Sequence, residues 1–424
     1  MSPDPSARAR DPIDDCIHCG FCLPACPTYR TDGEEMESPR GRIELARAVR
    51  DGRLPLDADV AAHFDRCLGC MACMTACPSG VRYNAILRKA RAAIEGSVPR
   101  PAVERLRRGG IFALFPRPGR LRVLAPLLWL YQKTGLQRLI RRLGLLRPFP
   151  HFAQLDALLP PVRLRAALAR LPARTAPTGA RRLRVALVEG CVQRVFFPDV
   201  NAATVRVLAA EGCEVLVPPG QGCCGALSHH AGRVEEARRL ACALVERLES
   251  VDADVVAVNA AGCGSHLKEL GEVLADDPAW AQRAAALSAR VRDVSEVLAS
   301  LPPVATRHPV KARVAYHPAC HLHHAQRVLD APQSLLRGIP GVEVVELPAT
   351  CCGSAGVYNL LEVEWARAIG DRKVEGVRAA TPDLLASANP GCLLQLARHL
   401  ADQGTPVPIA HPVELLDRSI RGAG

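Results

Sequence analysis

The hydrophobic pattern of this chain changes period twice. From Gly41 to Arg50 (Gly-Arg-Ile-Glu-Leu-Ala-Arg-Ala-Val-Arg) few aromatic or β-branched residues interrupt the run, which predicts a helix. Val81 to Glu95 reads the same way and stops near Gly96, with Pro99 beyond. From Arg182 onward short apolar runs alternate with longer amphipathic ones. Strands are expected at Arg184–Val188, Val215–Pro218, Asp254–Val258, Arg313–Tyr316, Val342–Leu347 and Leu384–Ala388. Helices are expected between them, for instance Val200–Glu211, Val234–Glu249 and Val363–Arg378. Strand and helix taking turns imply a doubly wound α/β sheet.

The second half also repeats itself. Glu189-Gly-Cys191, Gly222-Cys-Cys-Gly225 and Ala261-Gly-Cys263 are echoed in order by Pro318-Ala-Cys320, Thr350-Cys-Cys-Gly353 and Pro390-Gly-Cys392. Gene duplication is the simplest account. Between the two patterned halves, 99–180 is rich in Arg, Leu and Pro. Among its prolines, Pro116, Pro118, Pro126, Pro148, Pro150, Pro160, Pro161, Pro172 and Pro177 are expected to break any long helix. Within it, Leu127 to Leu146 reads as one basic amphipathic helix carrying Arg138, Arg141 and Arg142, either docked on the other domains or laid on a membrane surface. The expected fold class is α+β multidomain: a helical domain over 1–98, a basic Pro-rich helical connector over 99–180, and two α/β units over 181–305 and 306–424.

At 424 residues and 49% hydrophobic composition the chain can bury several cores. The net charge of +11 concentrates between Arg100 and Arg147, where Glu104 is the only acid, and implies an anionic partner. A nucleic acid is disfavoured, because no stacking aromatics are interleaved with the basic residues. No run is long enough to span a bilayer, and Met1 to Pro12 is polar without the apolar core of a leader, so a cytoplasmic chain is expected. There the chain's 18 cysteines would stay reduced and available as ligands.

Their spacing supports that. Cys16, Cys19, Cys22 and Cys26, followed by Pro27, form C-x2-C-x2-C-x3-C-P, and Cys67, Cys70, Cys73, Cys77 and Pro78 repeat it without a gap. This is the spacing of bacterial two-cluster ferredoxins, in which three thiolates grip one cube and the fourth reaches the other. The expected ligands are Cys16, Cys19, Cys22 and Cys77 for one [4Fe-4S] cluster, and Cys67, Cys70, Cys73 and Cys26 for the second, which makes the helical domain over 1–98 a two-cluster ferredoxin-type domain. Zinc, the competing reading, leaves the evenly spaced third cysteine and the doubled Cys-Pro endings unexplained. His18 reads as loop filler or as a hydrogen-bond partner that tunes a cluster. Pro39-Arg-Gly-Arg42 reads either as charge compensation for a cluster or as a solvated helix start.

In the duplicated units the cysteines fall just after predicted strands, where α/β sheets place ligands. Two further metal sites are expected, one of Cys191, Cys223, Cys224 and Cys263, the other of Cys320, Cys351, Cys352 and Cys392, holding an additional iron-sulfur cluster or zinc. Buried structural cysteines are the alternative; Cys213 and Cys242 fit it. His229, His230, His317, His321, His323 and His324 crowd the same loops as ligands, proton carriers or packing residues. No Gly-rich dinucleotide or phosphate loop is present, so a flavin must come from a partner chain.

Two ferredoxin-type motifs followed by two Cys-Cys-Gly units resemble the iron-sulfur subunit of bacterial glycolate oxidase over nearly the whole chain. The most specific stretches are Ser38-Pro-Arg-Gly-Arg-Ile43, Cys77-Pro-Ser-Gly-Val-Arg-Tyr83, Glu189-Gly-Cys-Val-Gln193, Asn201-Ala-Ala-Thr204 and Ala260-Ala-Gly-Cys-Gly264. The resemblance implies a complex with flavin-containing subunits that oxidises glycolate to glyoxylate. It also implies transfer of the electrons to a quinone or another respiratory acceptor at the cytoplasmic membrane face. Equivalent subunits of lactate or glycerol-3-phosphate dehydrogenases share much of this layout. The Cys-Cys-Gly units are also similar to those of heterodisulfide reductases, whose repeat ends in C-x-x-C. Here His266 and Gln395 stand at that final position, which argues against disulfide chemistry.

Overall fold

A computed structural model of the chain describes residues 11–423, so most of the Met1–Pro12 segment lies outside the described residues. The amino-terminal domain is helical. Pro39–Arg50 and Tyr83–Ser97 pack with Ala58–Asp65 around Ile43, Phe64, Ile86 and Ile94, and the thiols of Cys67 and Cys73 belong to the same core.

The two α/β units are built from strands β1 (Arg174–Thr175), β2 (Leu183–Val188), β3 (Cys213–Leu216), β4 (Val255–Val258), β5 (Val291–Asp293), β6 (Ala312–Tyr316), β7 (Val342–Glu346), β8 (Leu384–Ala386) and β9 (Ile409–Ala410). The first sheet runs β1-β3-β2-β4-β5 and the second β7-β6-β8-β9; only β1 is antiparallel to its neighbour. Setting β1 aside, the two orders are the same. In each, the chain leaves the first strand of the unit to one side and returns on the other, which opens a crevice at the carboxyl ends of the paired strands.

The units also share a core. Val185 and Leu187 of the first sheet and Val314 and Tyr316 of the second belong to one buried apolar assembly with Val207, Leu208, Leu336 and Leu416. Fully burying each such side chain contributes about 1.5–3 kcal/mol. The helix Pro198–Ala210 packs on Pro412–Arg421, and Val294–Ala299 packs on Ala331–Arg337.

The connector differs from its sequence reading in where its helices begin and end. It is mostly helix: Ala102–Leu114, Pro118–Lys133, Leu136–Arg142, Pro150–Leu158 and Leu164–Leu168. Pro118 and Pro150 occupy first-turn positions, where the missing N–H costs nothing. Pro126 lies inside a helix rather than ending one. The single helix expected over Leu127–Leu146 is two, divided where Gly135 adopts φ 78°. Inward residues of these helices clasp both units: Leu121 and Ala125 meet Val195, while Ile111 and Phe112 meet Val357 and Leu360.

Candidate functional site

The two ferredoxin-type loops place left-handed residues at matching positions of their shared sequence pattern. In the first, His18 (φ 57°) and Gly20 (φ 82°) are left-handed; in the second, Gly69 (φ 60°) and Met71 (φ 62°) occupy the matching places. Each loop therefore holds one non-glycine residue where glycine would be relaxed, at a cost of about 1–3 kcal/mol. Such alternation turns successive backbone N–H groups toward a common centre, the arrangement that receives anionic groups, iron-sulfur centres included. The fourth cysteines match too, Cys26 at φ −85°, ψ 118° and Cys77 at φ −82°, ψ 115°.

Cys16, Cys19, Cys22 and Cys77 line one cavity of about 30 Å³, with Cys73 and Tyr83 on its wall. Burial first, then the neighbouring Cys67, Cys26 and Cys22 thiols, push the Cys73 thiol up; burial, then Cys320 and Cys73, do the same to Cys70. Cys77 thus shares a cavity with the first loop, and Cys26 acts on Cys73 of the second. Burial pushes Cys22 up to about 11. Thiols held protonated in this way release their protons when a metal takes their place.

Arg42 settles the reading of the Pro39–Arg42 stretch. Its guanidinium is 0% exposed and donates to Glu37 Oε2 (2.5 Å), the Glu37 carbonyl (2.6 Å), Thr28 Oγ1 (3.1 Å) and the His63 carbonyl (2.6 Å). Burial opposes the charge, yet Cys67, Tyr83, Cys26 and Glu37 together outweigh it and hold Arg42 more strongly protonated than in water. This is a buried cation beside the second thiol set, not a solvated helix start. Thr28, in contact with Arg42, also lies 3.2 Å from Cys26 Sγ. Tyr83 lies with its hydroxyl 3.6 Å from Cys67 Sγ. His18 is more than filler: its Nε2 accepts from Arg47 Nη1 at 2.7 Å.

In the α/β units the repeated Cys-Cys-Gly turn has a steric cause. Gly225 (φ 91°) and Gly353 (φ 86°) lie so close to the helices Val234–Glu249 and Val363–Ala379 that an added Cβ would fall 2.6 Å from the Ala237 carbonyl and 2.7 Å from that of Ala366. The turns draw the thiols together. Cys191 Sγ is 3.5 Å from Cys223 Sγ, and neighbouring thiols contact one another in the order Cys191, Cys223, Cys224, Cys263 and again Cys320, Cys351, Cys352, Cys392. Asn389 Nδ2 donates to Cys392 Sγ at 3.3 Å. Cys213 is buried in β3 away from these sets, and Cys242, on the helix Val234–Glu249, packs half-buried against the first unit's core. Gln395 is committed to Asn359, the Ala366 carbonyl and His399, while His266 is buried with its ring centroid 4.7 Å from that of His229.

All eight of these thiols, together with Cys67 and Cys70, line one cavity of about 680 Å³. The connector forms its apolar wall through Leu114, Leu121, Leu124, Leu128, Phe152 and Leu155. The second unit presses directly on the second ferredoxin-type loop: Leu68 and Cys70 pack with Cys320, Cys351 and Tyr358. His321 Nε2 donates to the Gly69 carbonyl at 2.9 Å, and the Tyr358 hydroxyl to the Arg66 carbonyl at 3.0 Å. Arg91 joins the same loop to the first unit through the carbonyls of Cys67 and His230. Sequence reasoning missed Arg91, Tyr358 and Lys373, whose partners are remote in the chain. Lys373 is buried against the Pro348 carbonyl and Thr350; burial pushes its ammonium below the ordinary range, and all four thiols of the second unit oppose that shift. The histidines His229, His230 and His321 lie ring against ring, with centroids 5.8 and 5.0 Å apart in that order. Burial pushes all three below their ordinary range, His229 to about 4, so at neutral pH they are uncharged.

Comparison with known proteins follows the same divisions. Residues 12–81 match a 4Fe-4S dicluster domain, and 185–268 and 314–397 each match a cysteine-rich domain. Residues 103–159 match the family described as glycolate oxidase iron-sulfur subunit, linker region. The chain is 40% identical to the probable glycolate oxidase iron-sulfur subunit of Bacillus subtilis, covering 96% of this chain and 94% of that protein. It is 34% identical to the glycolate oxidase iron-sulfur subunit of Escherichia coli, covering 96% and 93%. Lactate utilization protein A of Oceanobacillus iheyensis is 30% identical over 57% of this chain and 99% of its own length.

Proposed function

This chain belongs to the glycolate oxidase iron-sulfur subunit family, and we propose that it links flavin-bearing partner subunits, which oxidise glycolate to glyoxylate, to a quinone or other respiratory acceptor. It is an electron-transfer subunit of an oxidoreductase, with a 4Fe-4S dicluster domain. The clusters, when bound, supply one-electron carriage between a two-electron flavin donor and the acceptor.

The residues divide that work. Cys16, Cys19, Cys22 and Cys77 hold the first cluster, and Cys26, Cys67, Cys70 and Cys73 the second. Arg42 offsets the negative charge of the second set, and the left-handed turns at His18 and Met71 aim backbone N–H groups at the centres. The Cys-Cys-Gly thiols form two further metal sites, and Cys70 against Cys320 and Cys351 makes the second unit the neighbour of the second cluster. No residue of this chain acts on glycolate. The observation that carries the reading is the crossed gathering of Cys77 with the first loop and Cys26 with the second. The linker match and near-complete coverage favour glycolate over lactate, whose named relatives align with little more than half of the chain.

Peripheral attachment to the inner face of the cytoplasmic membrane is part of the proposal. Among the described residues no helix is long and apolar enough to cross a bilayer. The connector nevertheless turns Val123, Leu127, Leu130, Leu136, Leu139 and Leu143 outward, each 46% exposed or more, and Lys133, Arg138, Arg141, Arg142 and Arg147 are exposed beside them. That composition suits an anionic lipid surface.

Iron and acid-labile sulfide analysis with reduced-state EPR of the anaerobic protein tests the ligand assignment, and fewer than two cubane clusters would defeat it. In the assembled complex, Cys70→Ser is expected to abolish glycolate-driven reduction of a quinone analogue while glycolate still bleaches the flavin. Unchanged quinone reduction would overturn the proposed route.

A further inference from the structure

We propose that the second Cys-Cys-Gly unit holds a thiophilic metal centre of mixed ligation, in which His317 supplies an imidazole nitrogen beside the thiolates of Cys352 and Cys392. This rests on reading the Cys-Cys-Gly units as metal sites, and it makes the two units chemically unequal.

His317 is 0% exposed, and neither of its ring nitrogens has a hydrogen-bond partner. A ring nitrogen of His317 and the Sγ atoms of Cys352 and Cys392 all lie within 4.8 Å of one another. Leaving a buried polar atom unpaired costs about 1–3 kcal/mol, and a metal bound through one nitrogen removes that cost there. Imidazole and thiolate together suit zinc or the iron of a sulfide-bridged cluster, both of which accept nitrogen beside sulfur.

The duplication serves as an internal control. His317 precedes Cys320 by three residues; the residue three before Cys191 is Val188, apolar and buried. Lys373 lies seven residues beyond Ala366, whose carbonyl abuts Gly353; seven beyond Ala237, whose carbonyl abuts Gly225, stands Leu244. The first unit surrounds its thiols at these places with hydrocarbon, and the second with an imidazole and a buried ammonium. A packing role would be met as well by the valine and leucine of the first copy. The same two substitutions supply what an anionic metal centre needs, a ligand and a counter-charge.

The test uses full-length protein labelled with ¹⁵N-histidine and purified anaerobically. Metal analysis should find iron or zinc beyond the eight irons of two [4Fe-4S] clusters. Pulsed EPR should show a directly bonded ¹⁵N if that metal is a paramagnetic cluster. If it is zinc, X-ray absorption at the zinc edge should show nitrogen near 2.0 Å beside sulfur near 2.3 Å, about the usual bond lengths. His317→Ala should lose the nitrogen signal and most of the extra metal. His317→Cys should lose the nitrogen signal while keeping the metal, and decides the matter should the alanine variant fail to fold. No metal beyond eight irons in the wild type, or a nitrogen signal that persists in His317→Cys, overturns the proposal. Two cubane EPR signals retained in every variant would show that such a failure leaves the electron-transfer reading standing; their absence from the wild type would sink that reading instead.

Discussion

Replacing Arg42 by methionine removes the cation at the centre of the amino-terminal domain while roughly keeping its volume. Four hydrogen bonds go with it, and the carboxylate of Glu37, a residue 1% exposed, keeps only His63 Nδ1 (2.7 Å) and Arg66 Nη1 (2.8 Å). Breaking a buried ion pair by deleting one partner costs about 3–5 kcal/mol. The two surviving donors place the expected loss at the lower end, about 3 kcal/mol, or more than a hundredfold in the population of locally open molecules at about 1.4 kcal/mol per tenfold. The opening includes Cys26, because Thr28 ties that cysteine to Arg42. Anaerobic release of iron to a coloured chelator reads this out, since its rate follows the open population when reclosing is fast. Arg42→Met should therefore release the iron of one cluster about a hundredfold faster. The double variant Glu37→Leu/Arg42→Met should recover most of the difference, because no uncompensated carboxylate remains and His63 and Arg66 can reach water. A single variant within threefold of wild type, or a double variant no slower than the single, would refute the reasoning.

Two further outcomes are expected. Burial pushes the Asp293 carboxyl up to about 6 against the opposing hydrogen bonds from Ser295. The folded state therefore holds this proton more tightly than the unfolded chain, and Asp293's contribution to stability is greatest below the unfolded value of about 3.9 and is lost as pH rises through about 6. Relative to wild type, Asp293→Asn should gain about 2 kcal/mol between about pH 4.5 and 7.5 in denaturant titrations; a pH-independent difference would contradict the assignment. For the connector, whose Leu127 and Leu139 are 63% and 51% exposed, the double variant Leu127→Glu/Leu139→Glu should bind anionic vesicles at least about tenfold more weakly in co-sedimentation, since each glutamate removes buried apolar area and adds repulsion. Equal binding by the variant would show that this face meets something other than lipid.

The main strands were legible because Val-rich runs such as Leu183–Val188 and Val255–Val258 are buried on both faces and leave a plain signal. β1, β5 and β9 were not: at two or three residues each, they become strands only through the neighbours they pair with. The helix boundaries within the connector were misplaced for a positional reason. Proline breaks a helix in its interior but begins one readily, and Pro118 and Pro150 stand at beginnings. Cysteine spacing pointed to which thiols converge, since a tight loop leaves them little choice. Of the six histidines in the Cys-Cys-Gly loops, only the fold tells His317, which faces two thiols, from His324, which is held between Thr75 and the Ala349 carbonyl.

The way the two α/β units meet carries a consequence for their origin. Pro198–Ala210 of the first copy lies on Pro412–Arg421 of the second, and the equivalent helix of the second copy, Ala331–Arg337, lies on Val294–Ala299 of the first. The contact is therefore made twice with the roles exchanged, as in an isologous dimer. Gene duplication accounts for this if a single such unit paired with its own copy; once the two are joined in one chain, a change in one is no longer repeated in the other. The two halves already differ in this way, with His317 and Lys373 in one where Val188 and Leu244 stand in the other.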